Sequence, residues 1–236
     1  MFDGQIDRRG EREELPKEIL FEGEKELLKR IHEIKNELKE IEITKLSGDE
    51  IFQNGSKKLD FNLLSFWQWS SSDVVSNATR GILAEYIVGK ALGCISKEDV
   101  RDEWGAYDLK TQTGVSVEVK SSAYIQSWEQ SKLSKISFSI RKSLGWDRET
   151  NKFDHEKKRQ ADVYVFALLF HKDKDTVNPL DISQWEFFVL PTKVLDQRKR
   201  SQYSITLHSL KKLTKAVSYF ELGQAVEKAE LNNRRG

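Results

Sequence analysis

From Val115 to Lys120 apolar and polar side chains alternate without a break. Val115, Val117 and Val119 fall on one side, and Ser116, Glu118 and Lys120 on the other. This is the two-residue period of a strand with one face buried. Ala106 to Lys110 can supply a partner strand through Thr111-Gln112-Thr113-Gly114. The loop length then decides the pairing. A two-residue loop at Gln112-Thr113 sets Asp108 opposite Val117, whereas a three-residue loop ending in a left-handed Gly114 sets it opposite Glu118. Gly114 stands where the second loop needs a positive φ, so Asp108 beside Glu118 is the expected register. Neighbouring carboxylates repel across a sheet. A divalent cation between them relieves that repulsion, because hard cations take oxygen ligands. Two acids and Lys120 around one cation point to metal-assisted phosphodiester hydrolysis.

The segments around this hairpin read as an α/β chain. Ala78 to Leu92 is a helix with Ser76 or Asn77 at its start and Gly93 at its end. It is apolar almost all round, which predicts burial. Glu85 interrupts it and needs a cation, a donor or a solvated cleft. It could form a salt bridge to Arg80, Lys90 or a more distant lysine, or it could face the strand acids. After the hairpin comes a hydroxyl-rich stretch in which Ser121, Ser122 and Gln126 could bond phosphate or the lysine. Ile136, Phe138 and Ile140 alternate as a short strand, and Ala161 to Phe170 reads as a central, fully buried one. Trp185 to Leu190 is a strand stopped by Pro191 with a short helix after it. Ser204 to Leu207 is a further strand, and helices follow between Leu210 and Leu231.

Pro16 suits the first turn of a helix running to about Ile43. Leu20, Leu27, Ile31, Ile34, Leu38 and Ile41 form a heptad seam on it, fit either for a homodimer or for folding back onto the domain. The domain division expected is therefore a helical extension over residues 1–45 and an α/β domain over residues 46–236. Between Ser47 and Ser72, Phe61, Phe66, Trp67 and Trp69 read as aromatics packed on the core.

The 236 residues include 33% charged side chains, distributed unevenly: net −4 over residues 1–60 and net +5 over residues 151–236. A polyanion would be drawn mainly to the C-terminal third. Candidate backbone-holding cations there are Lys157, Arg159, Arg198, Lys199 and Arg200. The longest apolar run, Val163 to Phe170, is too short to span a bilayer, so no membrane partner is expected. No secretory signal is visible at Met1–Gly4, and the single Cys94 excludes an internal disulfide and fits a reducing cytoplasm. His32, His155, His171 and His208 lack zinc spacing, and no phosphate-binding glycine loop is present.

Asp108 and Glu118-Val119-Lys120, with Glu85 in the preceding helix, resemble the PD-(D/E)xK nuclease superfamily. The resemblance covers about Ala78 to Phe170, and Tyr107 stands where many members have proline. It implies a restriction-endonuclease-like core, a mixed central sheet flanked by helices, and a cytoplasmic DNA endonuclease of restriction or repair type. It implies Mg²⁺, with Mn²⁺ able to substitute, held by Asp108, Glu118, the Val119 carbonyl and Glu85. Lys120 would orient or deprotonate the attacking water or stabilise developing charge. The alternative is a catalytically inactive nucleic-acid-binding or scaffold protein of the same fold.

Overall fold

The alternating valines and the continuous apolar run are realised as two adjacent strands of a five-stranded mixed sheet. The computed structural model describes residues 23–31, 41–147, 150 and 152–234. The chain divides into two units, Met1–Thr44 and Lys45–Gly236.

In the first unit residues 23–31 form helix α1, with Leu27 and Ile31 of the expected seam exposed. Leu20, Ile34 and Leu38 lie outside the described residues. Residues 41–44 are irregular, so the helix does not reach Ile43. The run Ile41-Glu42-Ile43-Thr44 is rich in β-branched side chains, which lose rotamer freedom in a helix.

The second unit begins with a hairpin, β1 (Ile51–Asn54) and β2 (Lys57–Asn62), followed by α2 (Leu63–Ser71). The expectation of core-packed aromatics fails here. Trp69 is 83% exposed, Phe61, Phe66 and Trp67 are also exposed, and α2 buries no residue. The rings pair locally instead, Phe52 with Phe61 at 4.8 Å and Phe66 with Trp69 at 6.4 Å. The loop before β1 is tied by the Glu50 carboxylate, which accepts from the Ser47 and Gly48 amides at 2.9 and 2.8 Å. Led by the Ser47 amide, these donors lower Glu50 from 4.5 to about 2. A folded-state pKa below the unfolded one stabilises the fold above the unfolded value, and that contribution fades as pH falls from about 4.5 towards 2. A carboxyl-carbon NMR titration is expected to place the Glu50 midpoint near 2; a midpoint at the ordinary glutamate value would mean the loop is not closed in this way.

Helix α3 (Asn77–Ala91) follows, then β3 (Leu109–Lys110), β4 (Ser116–Ala123), β5 (Ser137–Ser139), β6 (Trp146–Asp147), β7 (Lys152–Phe153) and β8 (Val163–Leu169). The remainder is β9 (Trp185–Pro191), α4 (Thr192–Asp196), β10 (Ser204–Thr206), α5 (Leu207–Leu210), β11 (Ala216–Val217) and α6 (Leu222–Arg234). The sheet order is β11-β9-β8-β4-β3. Strand β8, buried along its whole length, takes the centre, parallel to β4 and antiparallel to β9. Asp162 fixes the start of the parallel pair, accepting from the Ser116 amide and hydroxyl at 3.0 and 2.6 Å.

Each sheet face carries its own core. On one, Val117, Val119, Val163 and Val165 pack with Ala84, Ile87 and Val88 of α3 and Leu222 and Val226 of α6. On the other, Tyr164, Phe166 and Leu168 pack with Phe138, Leu195, Ile205 and Leu210. Helix α3 is thus buried on one side only. Ile82 and Tyr86 are about half exposed, and together with Glu85, Arg101 and Asp108 they line a cleft of about 270 Å³. At Gly89 α3 lies close against its neighbours. A Cβ there would come within 2.3 Å of Ile95 and 3.2 Å of Leu109. Gly89→Ala is expected to destabilise the fold by about 1–3 kcal/mol through overpacking, and urea denaturation measures it. An unchanged midpoint would show that Ile95 moves aside freely.

Candidate active site

The hairpin loop selects between the two registers set out above. Gly114 has φ +86°, its amide donates to the Thr111 carbonyl, and the Thr111 amide donates to the Val115 carbonyl, both at 2.9 Å. Leu109 pairs with Val117 and Lys110 with Ser116. Continuing that register by one residue sets Asp108 opposite Glu118. Leu109 packs into the core beneath α3, and the alternation of a strand turns Asp108 to the face that carries Glu118 and Lys120. The Val119 amide donates to Asp108 Oδ2 at 2.7 Å, which locks the carboxylate against β4.

Glu118 and Lys120, two residues apart on this face, form an ion pair. Burial, followed by the charge of Glu118, pushes Asp108 up to about 6, with Lys120 and the Val119 amide pulling the other way. Burial also works against the Lys120 ammonium, but Glu118, Asp108 and Glu85 outweigh it and hold the lysine above its ordinary value. The acids and the lysine therefore form one electrostatic unit in a half-buried setting.

Glu85 belongs to this unit by its field, since it acts on both Asp108 and Lys120. Its direct partner is one the sequence did not suggest. Arg101 donates from Nε to Glu85 Oε2 at 2.6 Å and from Nη2 to Oε1 at 3.2 Å, and it also reaches Glu103 at 3.2 Å. The bond to Glu85 is the first reason the Arg101 guanidinium is held above its usual value. Arg101 lies on the irregular segment between α3 and β3, where no periodicity marks it. Among the described residues, no three His, Cys, Asp or Glu side chains are gathered closely enough to hold a metal ion.

Other expected site residues have structural duties. Arg80 is buried and bonds Ser121 Oγ at 3.2 Å and the Val75 carbonyl at 2.6 Å, so it does not serve Glu85. Gln126 is buried and donates to the Ala123 carbonyl at 3.1 Å and to Ser134 Oγ at 3.2 Å. Arg159 is buried too, bonded to the Ile140 carbonyl and to Gln202, which removes it from the solvent-facing cations. A guanidinium placed between strands meets carbonyls there, and its charge is satisfied inside the fold.

An α/β sheet that carries two carboxylates and an amine on adjoining edge-side strands defines a candidate hydrolase scaffold. The model of the family described as bacteriophage T4 endonuclease IV matches residues 26–208, and the chain belongs to that family, a family of nucleases. No curated protein matches the chain. No helix among the described residues is long and apolar enough to cross a membrane.

Proposed function

We propose that this chain is a Mg²⁺-dependent DNA endonuclease of restriction or repair type, built on a restriction-endonuclease-like core of the PD-(D/E)xK kind and acting in the cytoplasm. The observation that carries the reading is the β3–β4 register, which sets Asp108 beside Glu118-Val119-Lys120. The donor set fits a hard cation: Asp108 Oδ1, the Glu118 carboxylate and the Val119 carbonyl are oxygen ligands in a half-buried, negatively charged place. When bound, Mg²⁺ or Mn²⁺ would supply Lewis-acid charge at the phosphoryl oxygen and acidify a water. Asp108, held by the Val119 amide, would keep its free oxygen aimed into the site. Lys120 would orient the attacking water and offset negative charge as it develops on the phosphate. Glu85 would join on release from Arg101.

Incubating the purified chain with plasmid and with branched DNA tests this. Cleavage that requires Mg²⁺ or Mn²⁺ and stops on chelation supports the reading, and cleavage that persists in chelator removes the metal from it. Arg101 makes a further prediction. Arg101→Gln frees Glu85, so Mn²⁺ affinity by calorimetry is expected to rise about two- to fivefold, the worth of a partly exposed ion pair. A fall in affinity would mean that Arg101 organises the site instead of occupying it.

The same Arg101–Glu85 pair favours a second reading, a nucleic-acid-binding scaffold of the same fold without cleavage. A saturable Mn²⁺ site that Glu118→Gln abolishes supports the enzyme; no site in either protein supports the scaffold. The exposed Leu27 and Ile31 of α1 support a homodimer through the N-terminal helix. A monomer in sedimentation at micromolar concentration would count against it.

A further inference from the structure

Cations gather around the buried Arg159. Its Nε donates to the Ile140 carbonyl at 3.1 Å, its Nη2 to the Gln202 side chain at 2.8 Å, and its Nη1 to Asp196. These bonds draw the end of β5 and the α4–β10 connection together. Arg141 and Lys142 follow β5, and Arg198, Lys199 and Arg200 lie on that connection. All five are exposed or half exposed. Arg141 sits over the ring of the exposed Tyr203, 5.9 Å from its centroid. Asp196 is shared between Arg159 and Lys142, the latter at 3.7 Å. Burial, then Arg159 and Arg200 nearby, lower the Arg198 guanidinium from its usual value, as expected where like charges crowd.

The sheet topology sets this cluster beside the acids. Glu118 is the cross-strand partner of Tyr164, and β4 and β8 begin at the same end of the sheet. Arg159 lies shortly before β8, ahead of Gln160-Ala161-Asp162, and α4 follows β9 at that same end, with the Thr192 amide donating to the Asp162 carbonyl at 2.9 Å. Tyr164 feels both groups: after burial, its hydroxyl is raised by Glu118 and lowered by Arg159.

We propose that Arg141, Arg198, Lys199 and Arg200 form a track that holds the sugar–phosphate backbone of a polynucleotide running away from the Asp108–Glu118–Lys120 site. The track rests on the nuclease reading for its direction, but not for its existence. Crowded, exposed cations are relieved by a polyanion whose condensed counterions they release. The ring face of Tyr203 attracts the Arg141 guanidinium and favours its position there.

The test uses a fluorescein-labelled oligodeoxynucleotide, single-stranded and as a duplex, in chelator so that nothing is cut. Binding by anisotropy across a salt series is compared for the wild type and for the triple variant Arg141→Gln, Lys199→Gln, Arg200→Gln. Lys57→Gln with Lys58→Gln on the β1–β2 hairpin is the charge-loss control, and Arg200→Glu alone serves if the triple variant does not fold. The triple variant is expected to bind about tenfold or more weakly and to lower the salt slope by about two to three. Hydrolysis of bis(p-nitrophenyl) phosphate with Mn²⁺, which spans no track, stays within about twofold of wild type. Equal binding by the triple variant, an equal loss in the hairpin control, or a matching loss of diester hydrolysis overturns the track. A wild type that cuts neither DNA nor the small diester would overturn the nuclease reading, and the salt series would still decide the track.

Discussion

Asp108→Asn is expected to lower the rate constant for DNA cleavage by about 10³-fold while the fold becomes no less stable. The asparagine oxygen can still accept from the Val119 amide, which Asp108 now does at 2.7 Å. What disappears is a negative charge in a half-buried place, where burial and then the repulsion of Glu118 already push Asp108 up to about 6. Removing a crowded charge there is expected to leave stability unchanged or raise it by up to about 1 kcal/mol, the usual trade between function and stability at such sites. Lys120→Ala is expected to cost a similar factor in rate but to move stability the other way. It leaves Glu118 without its ion-pair partner and Asp108 without the positive charge that holds it down. Cleavage rates paired with urea denaturation check both variants. Retained cleavage in either would move the chemistry elsewhere, and a large loss of stability in Asp108→Asn would make that carboxylate structural.

Phe166→Ala is expected to destabilise the second unit by about 3–5 kcal/mol, the range for emptying a large buried aromatic site. Phe166 is 0% exposed on the central strand, between Lys120 on β4 and Phe188 on β9. Its ring meets Phe138 edge-on at 5.2 Å and stacks near Tyr164 at 6.0 Å. Relaxation cannot readily fill the space, because the neighbours belong to β5, β8 and β9 and are themselves paired. Urea denaturation measures the cost. A loss below about 1 kcal/mol would mean that β5 and β10 do not close this face of the sheet.

Much of the sheet was legible in the order of residues, for a local reason. Alternation at Val115–Lys120, the apolar run through β8 and the proline after Leu190 are each written within a few residues, at the scale on which backbone geometry acts. Gly114 chose the hairpin register because a positive φ is nearly free for glycine and costly for other residues. The aromatics of β2 and α2 misled, since a hydrophobic side chain does not say which surface will cover it. Those of Phe61, Phe66 and Trp69 stay in solvent.

By itself the sequence determined that Asp108, Glu118 and Lys120 share one face of a hairpin. Alternation and one glycine suffice for that. The tertiary structure alone decided who neutralises whom. Arg101, sixteen positions from Glu85, takes that carboxylate. Arg159 leaves the surface to tie β5 to the α4–β10 connection. Tyr164, paired with Glu118 across β4 and β8, feels the charges of both Glu118 and Arg159. Long charged side chains choose partners by distance in space and by the cost of burial, and neither quantity repeats along the chain.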